Sequence, residues 1–156
     1  MSMTLRVANT IELLERARSV REQVFTIEKK IPKSIEVDEL DCLNDLCDHF
    51  LIDMIEDGQG NNRIDVCALR CKKTDDKCMQ LQRFCVIRDF RERGVGRWAL
   101  ERIEEYYWNR GFERITLDAK FHVRGFYEKC GYQVMSEPFI EADLLHVVME
   151  KRRIAE

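Results

Sequence analysis

Between residues 49 and 87 three apolar runs follow one another with only short turn clusters between them, and just beyond them the pattern changes from a strand period to a helix period. The runs cover residues 49–55, 64–71 and 79–87. Residues 57–62, rich in Asp, Gly and Asn, close the first, and Thr74-Asp75-Asp76 closes the second. Clusters of this kind form turns, and two hairpins in succession make an antiparallel meander. Residues 95–110 then set Ala99, Ile103, Tyr106 and Arg110 on one helical face, with Trp98, Leu100 and Tyr107 beside it. Gly111 stands where a helix C′ glycine belongs.

The flanks complete the order. Residues 4–8 alternate as a first strand. Ile11, Leu14, Ala17, Val20, Val24 and Ile27 recur at helical spacing and predict a helix over 10–28. Asn9 and Glu12 have the spacing of a capping box, and Pro32 ends the helix. Residues 32–47 are acidic and irregular and read as a solvated loop. A short strand over 114–118, a helix over 123–130 closed by Gly131, and a hairpin of 132–135 with 144–150 follow. Strand–helix–strand crossovers after a meander predict an α+β fold, a mixed α/β sheet with helices packed on it. Without linkers, repeats or low-complexity tracts, the 156 residues form one expected domain, 1–156.

Composition narrows the function classes. A net charge of -3, with both signs spread along the chain, argues against a nucleic-acid binder. Residues 1–7 lack the apolar stretch of a secretory signal, and no run approaches the roughly 18 apolar residues of a membrane span. The seven cysteines, odd in number and without a CxxC pair, read as reduced thiols of a cytoplasmic or nuclear protein. Cys67 and Cys71 lie about 13 Å apart along a strand, too far to share one metal, so no metal is expected.

The chemistry concentrates where the third run ends. Residues 84–96 read Phe-Cys-Val-Ile-Arg-Asp-Phe-Arg-Glu-Arg-Gly-Val-Gly: an apolar strand, a charged turn, and glycines opening a helix. A helix N-terminus offers unpartnered N–H groups and partial positive charge. Gly94 and Gly96 remove side chains that would hold a phosphate away, and Arg91, Arg93 and Arg97 add cations. This is a pyrophosphate cradle in physical terms; by itself it is equally a tight turn with surface arginines. The preceding meander does not fit a Rossmann unit, and G-K-[ST] is absent.

Arg91-x-x-Gly94-x-Gly96 resembles the R/Q-x-x-G-x-G/A motif of the GNAT acetyltransferases. Gly125-Phe126-Tyr127-Glu128-Lys129-Cys130-Gly131-Tyr132 resembles the same family's Y-E-K-x-G-F/Y signature, in the expected order. Further segments resemble the ElaA/YjcF-like branch: Arg21 to Phe25 with Glu28 and Pro32, then Glu36, Asp38, Glu39, Asp41 and His49, then Phe139 to Ala142 with His146 and Met149. The resemblance covers nearly the whole chain. It implies a GNAT-like twisted, mostly antiparallel sheet of about six to seven strands flanked by helices. It also implies acetyl-CoA as cosubstrate, held by Cys85, Val86 and Ile87, by Arg91, Glu92, Arg93, Gly94, Val95, Gly96 and Arg97, and by Lys120 and Tyr127. Tyr127 is then the general acid towards the departing thiolate, and dimerisation through exposed end strands is compatible with the family.

Two positions depart from the pattern. Lys120 replaces the usual Asn or Gln, and strand 79–87 carries Gln80 and Gln82 but no carboxylate. The base that deprotonates an amine near its reference pKa of about 10.4 is therefore not visible. Glu28 and His146 are the candidate bases, Glu28 also a candidate for positioning substrate, and Glu36, Asp38 and His49 are candidate substrate contacts. Three functions stay open: acetylation of a small amine such as a polyamine or an amino-sugar phosphate, acetylation of a protein or peptide, and non-catalytic acetyl-CoA binding.

Overall fold

The computed structural model describes residues 2–58 and 60–155; Gln59, part of the expected turn at 57–62, lies outside them, as do the ends of the expected domain, Met1 and Glu156. Among the described residues eight strands form one sheet: β1 (Ser2–Val7), β2 (Cys47–Ile55), β3 (Arg63–Asp75), β4 (Cys78–Val86), β5 (Arg114–Lys120), β6 (Gln133–Val134), β7 (Phe139–Glu141) and β8 (Leu144–Arg152). Their order is β1-β2-β3-β4-β5-β8-β6, with β7 also on β8. Every pairing is antiparallel except β4 with β5. The expected mixed sheet is thus present, with one strand more than expected. That strand is β7, joined to β8 through Ala142 and Asp143, both at positive φ (48° and 63°). A two-residue hairpin needs that conformation, but the usual Asn-Gly signal is absent from the sequence.

Alternation along the strands divides the core between two faces. Leu51, Ala68 and Cys85 face α1 (Ile11–Arg21), packing with Ala17 and Val20. Phe50, Ile52, Cys67 and Leu69 face α3 (Val95–Trp108), packing with Ala99, Leu100 and Ile103. α1 is capped by Thr10, whose side chain accepts from Leu13 N–H at 3.2 Å, one residue beyond the expected Asn9. The expected single helix changes at residue 22 into a π-helical stretch, Glu22–Glu28. Wider turns re-aim successive side chains, and such stretches gather at functional sites.

The acidic segment departs most from expectation. It contains a short helix, α2 (Lys33–Glu36), and is a solvated loop only in part: Glu39 and Asp45 stay exposed, whereas Glu36 and Asp41 are buried. Arg21 and Arg70 are each 1% exposed and draw its carboxylates inward. Arg21 donates to Glu36 at 2.6 Å and to both oxygens of Asp41 at 2.6 and 3.0 Å. Arg70, on β3, donates to Asp41 at 2.8 Å and to both oxygens of Asp38 at 2.7 Å. Asp41 therefore bridges two guanidinium groups. Burial works against its charge, but the hydrogen bonds and fields of the arginines prevail and hold its carboxyl well below the usual range.

Because the folded-state pKa of Asp41 is depressed, its contribution is complete above the unfolded value of about 3.9 and is lost as pH falls through the lower folded value. Melting temperature should therefore fall steeply below about pH 4. Asp41→Asn should lower stability at pH 7 by about 3–5 kcal/mol, because it leaves two buried cations short of a partner, and should flatten the acid limb. Thermal melts between pH 2 and pH 7 check both.

Candidate active site

Two strands make the site by parting. β4 and β5 pair in parallel only at Cys78–Arg114, Met79–Ile115 and Gln80–Thr116. Beyond these pairs, residues 81–86 and 117–120 diverge. A bulge in β4 sits at the divergence: Ala68 pairs with Cys85 and Arg70 with Gln82, so Leu69 faces both Arg83 and Phe84. Arg83 adopts φ 52° there. A cleft of about 610 Å³ opens between the strands, within the range of small-molecule sites.

Ile87 donates its amide to Val66 on β3 at 2.8 Å. Alternation then turns the N–H and C=O of Val86 the other way, towards the parting, while Cys85 turns back to β3. Of the three expected backbone contacts, Val86 alone presents its amide to the open side. The Cys85 side chain packs against α1, and burial pushes its thiol up to about 12.

The turn before α3 has the expected form with different roles for its residues. Gly94 caps the helix at φ 81° with open space where a Cβ would stand. The α3 ladder opens with Trp98 N–H to Gly94 C=O at 3.0 Å, leaving the amides of the preceding turn without an intrahelical acceptor. Gly96 is tightly packed: a Cβ there would meet Phe126 at 3.2 Å and Phe84 at 3.6 Å. Val95 is buried in the core and Glu92 takes φ 62°.

The three arginines of this turn each have a carboxylate partner. Arg93 pairs with Glu56 at 2.7 Å and Arg97 with Glu101 at 3.3 Å, both well exposed, and such pairs exchange readily for another anion. Arg91 is held more firmly. It donates to both Glu28 oxygens at 2.7 and 2.6 Å, and its Nε donates to Val86 C=O at 2.9 Å. Glu28 is thus a brace for the turn rather than a base: the Arg91 hydrogen bonds lower its pKa, and it is not among the cleft residues.

The structure also separates the other candidates. Glu36 is buried against Arg21, outside the cleft, so it does not contact substrate there. His49 is buried, with Nε2 2.8 Å from Leu40 C=O, and also lies outside the cleft. Asp38 lines the cleft but is clamped by Arg70, whose hydrogen bonds lower its pKa. Tyr127 on α4 (Arg124–Lys129), Lys120 at the end of β5 and His146 on β8 all line it. Burial raises the Tyr127 pKa, and its hydroxyl has no protein hydrogen bond among the described residues. His146 Nδ1 lies 2.9 Å from Leu144 C=O, so that nitrogen carries a proton and Nε2 is left facing Glu141 Oε2 at 3.8 Å.

Sequence reading missed Arg70, Arg83, Lys29, Asp118 and the cleft-lining role of Glu141. Arg70 left a signal, a charged residue inside an otherwise apolar strand; such a residue needs a buried counter-ion.

Gly94→Val would force a β-branched residue into φ 81° and fill the open approach to the amides. Where the turn holds the expected acetyl-CoA pyrophosphate, this should weaken that binding more than about 100-fold, the loss of several charge-assisted contacts. Glu28→Gln should weaken it about 3–10-fold with little change in melting temperature, because the brace is partly exposed. Calorimetric titration of acetyl-CoA, with a thermal melt for each variant, measures these effects.

Residues 61–153 match the acetyltransferase (GNAT) domain family. YjcF of Bacillus subtilis, described as an uncharacterized N-acetyltransferase, is 31% identical over 146 residues, 93% of this chain and 96% of that protein. A solved structure of a candidate N-acetyltransferase from Lactobacillus plantarum superposes with a TM-score of 0.86 at 26% identity, covering 97% of this chain and 99% of the other. Escherichia coli ElaA shares the fold with a TM-score of 0.77 at 20% identity, over 96% and 99% of the two chains. With its parted strands and glycine turn, the chain belongs to the GNAT acetyltransferase family.

Proposed function

We propose that this chain, as one acetyl-CoA-binding domain, moves an acetyl group to the primary amine of a small molecule by direct transfer. The observation that carries the reading is the cleft where β4 and β5 part, lined by Tyr127 and His146, with β4 leading at its C-terminal end into the glycine turn before α3. Acetyl-CoA supplies the acetyl group as a thioester. The amides around Gly94 suit its pyrophosphate, and Val86 N–H suits the thioester oxygen, where a donor stabilises developing charge.

His146 suits the base. Its Nδ1–H is committed to Leu144 C=O, so Nε2 has the free lone pair to take the amine proton. Tyr127, enclosed by aromatic rings and protonated at neutral pH, suits the acid that gives its proton to the departing sulfur. The new C–N bond and the broken C–S bond are thus matched by one proton taken and one given, and exchange with solvent restores both groups. Among the described residues no thiol lines the cleft to compete as nucleophile: Cys85 is buried on the other face, and burial raises the pKa of Cys130. The size of the cleft, about 610 Å³, favours a small amine, a polyamine or an amino-sugar phosphate, over a peptide.

Thiol release from acetyl-CoA in the presence of spermidine, glucosamine 6-phosphate, lysine and a lysine peptide tests the reading. Turnover with a small amine is expected. Tyr127→Phe and His146→Gln should each lower kcat about 100-fold or more, as for loss of a general acid or base, with acetyl-CoA affinity within about twofold. Unchanged kcat in either variant removes that residue from the chemistry.

A further inference from the structure

The charges of the cleft are not evenly matched. Arg70 is saturated by Asp38 and Asp41, and Arg83 lies against Asp38 at 3.6 Å and Glu36 C=O at 3.1 Å. Lys29 and Lys120 line the same cleft, and among the described residues neither has a carboxylate within ion-pairing distance. They converge from opposite sides: Lys29 follows the π-helical stretch and lies over the Phe25 ring, and Lys120 ends β5. Burial lowers the pKa of Lys120, and the Lys29 ammonium beside it lowers it further. Two cations brought together in a partly desolvated place attract an anion strongly.

Opposite charge lies next to them. Lys120 is the direct cross-strand partner of His146, so the two side chains share one face of the sheet. Glu141 lies 3.8 Å from His146, and Asp118 stands two residues before Lys120 on that same face. One end of this part of the cleft suits an ammonium group, and the other suits an acid.

Resting on the N-acetyltransferase reading, we propose that the acceptor is a zwitterion, a primary amine that also carries a phosphate or carboxylate. Lys29 and Lys120 bind the acid group, while Glu141 and Asp118 draw the ammonium towards His146. Lys120, expected at the cosubstrate, is thereby assigned to the acceptor. Polyamines are disfavoured, because they would bring a second cation to the lysine end.

The experiment has two parts. Glucosamine 6-phosphate is compared with glucosamine, and 2-aminoethyl phosphate with ethanolamine, in thiol release. Inorganic phosphate is titrated into enzyme saturated with CoA. The phosphate-bearing member of at least one pair should have a kcat/KM at least about tenfold higher, the value of a charge-assisted contact. Lys120→Met should raise its KM by a similar factor, and Lys29→Met together with Lys120→Met should weaken phosphate binding about tenfold or more. Equal or better use of the phosphate-free amines or of spermidine overturns the proposal, as does phosphate binding that is absent or unaffected by the substitutions. A tenfold loss of acetyl-CoA affinity in the lysine variants would assign the pair to the cosubstrate's phosphates and also overturn it. If the unaltered protein failed to bind acetyl-CoA at all, the failure would lie with the N-acetyltransferase reading itself.

Discussion

The site depends on a hydrogen-bond ladder that stops. β4 and β5 begin as parallel neighbours and separate after Gln80 and Thr116, and a sheet that loses pairing in its middle leaves main-chain groups needing other partners. The protein meets this need in two ways. Arg91 reaches back to the carbonyl of Val86, and the bulge at Arg83 and Phe84 bends β4 away while its pairing with β3 continues. The amide of Val86 is left facing the gap. An opening in a sheet is costly when it exposes polar backbone to an apolar interior, and here the gap is lined by polar side chains and open to solvent.

A second constraint shapes the far wall. The acidic segment would repel itself if left to pack alone, and Arg21 and Arg70, from the helix and the sheet, neutralise it from within. The wall is therefore a folded, charge-compensated layer rather than an acidic surface on offer to a cation. Charge that remains for recognition comes from residues outside that layer, on the π-helical end, β5 and the β7–β8 hairpin.

The fold was legible because its signals were local. Alternation in residues 49–87, helical period in 95–110 and glycine punctuation at 94, 111 and 131 survive in the structure with small shifts of boundary. Gly94 stands at the helix start where the sequence put it, with φ 81° and open space in place of a Cβ. The packing of Gly96 against Phe126 was not legible, because Phe126 is thirty residues away in sequence and only tertiary packing brings it within 3.2 Å of a Cβ there. Glu28 and Glu36 share this cause. Each sits in a family-like motif, yet whether a carboxylate meets a ligand or a guanidinium depends on partners 15 to 63 residues distant, as Glu36–Arg21 and Glu28–Arg91 show. The Ala142–Asp143 turn escaped because neither residue advertises a positive φ.

The triple attachment of Arg91 has an entropic meaning. A flexible anion-binding loop must be ordered at the moment of binding, and every immobilised side chain then subtracts from affinity by about 0.5–1.5 kcal/mol. Here the long Arg91 side chain and the turn it anchors lose that freedom when the chain folds, through Glu28 and Val86. The cost falls on stability, where it is shared with the whole core, and an anion reaching the turn would find it already ordered.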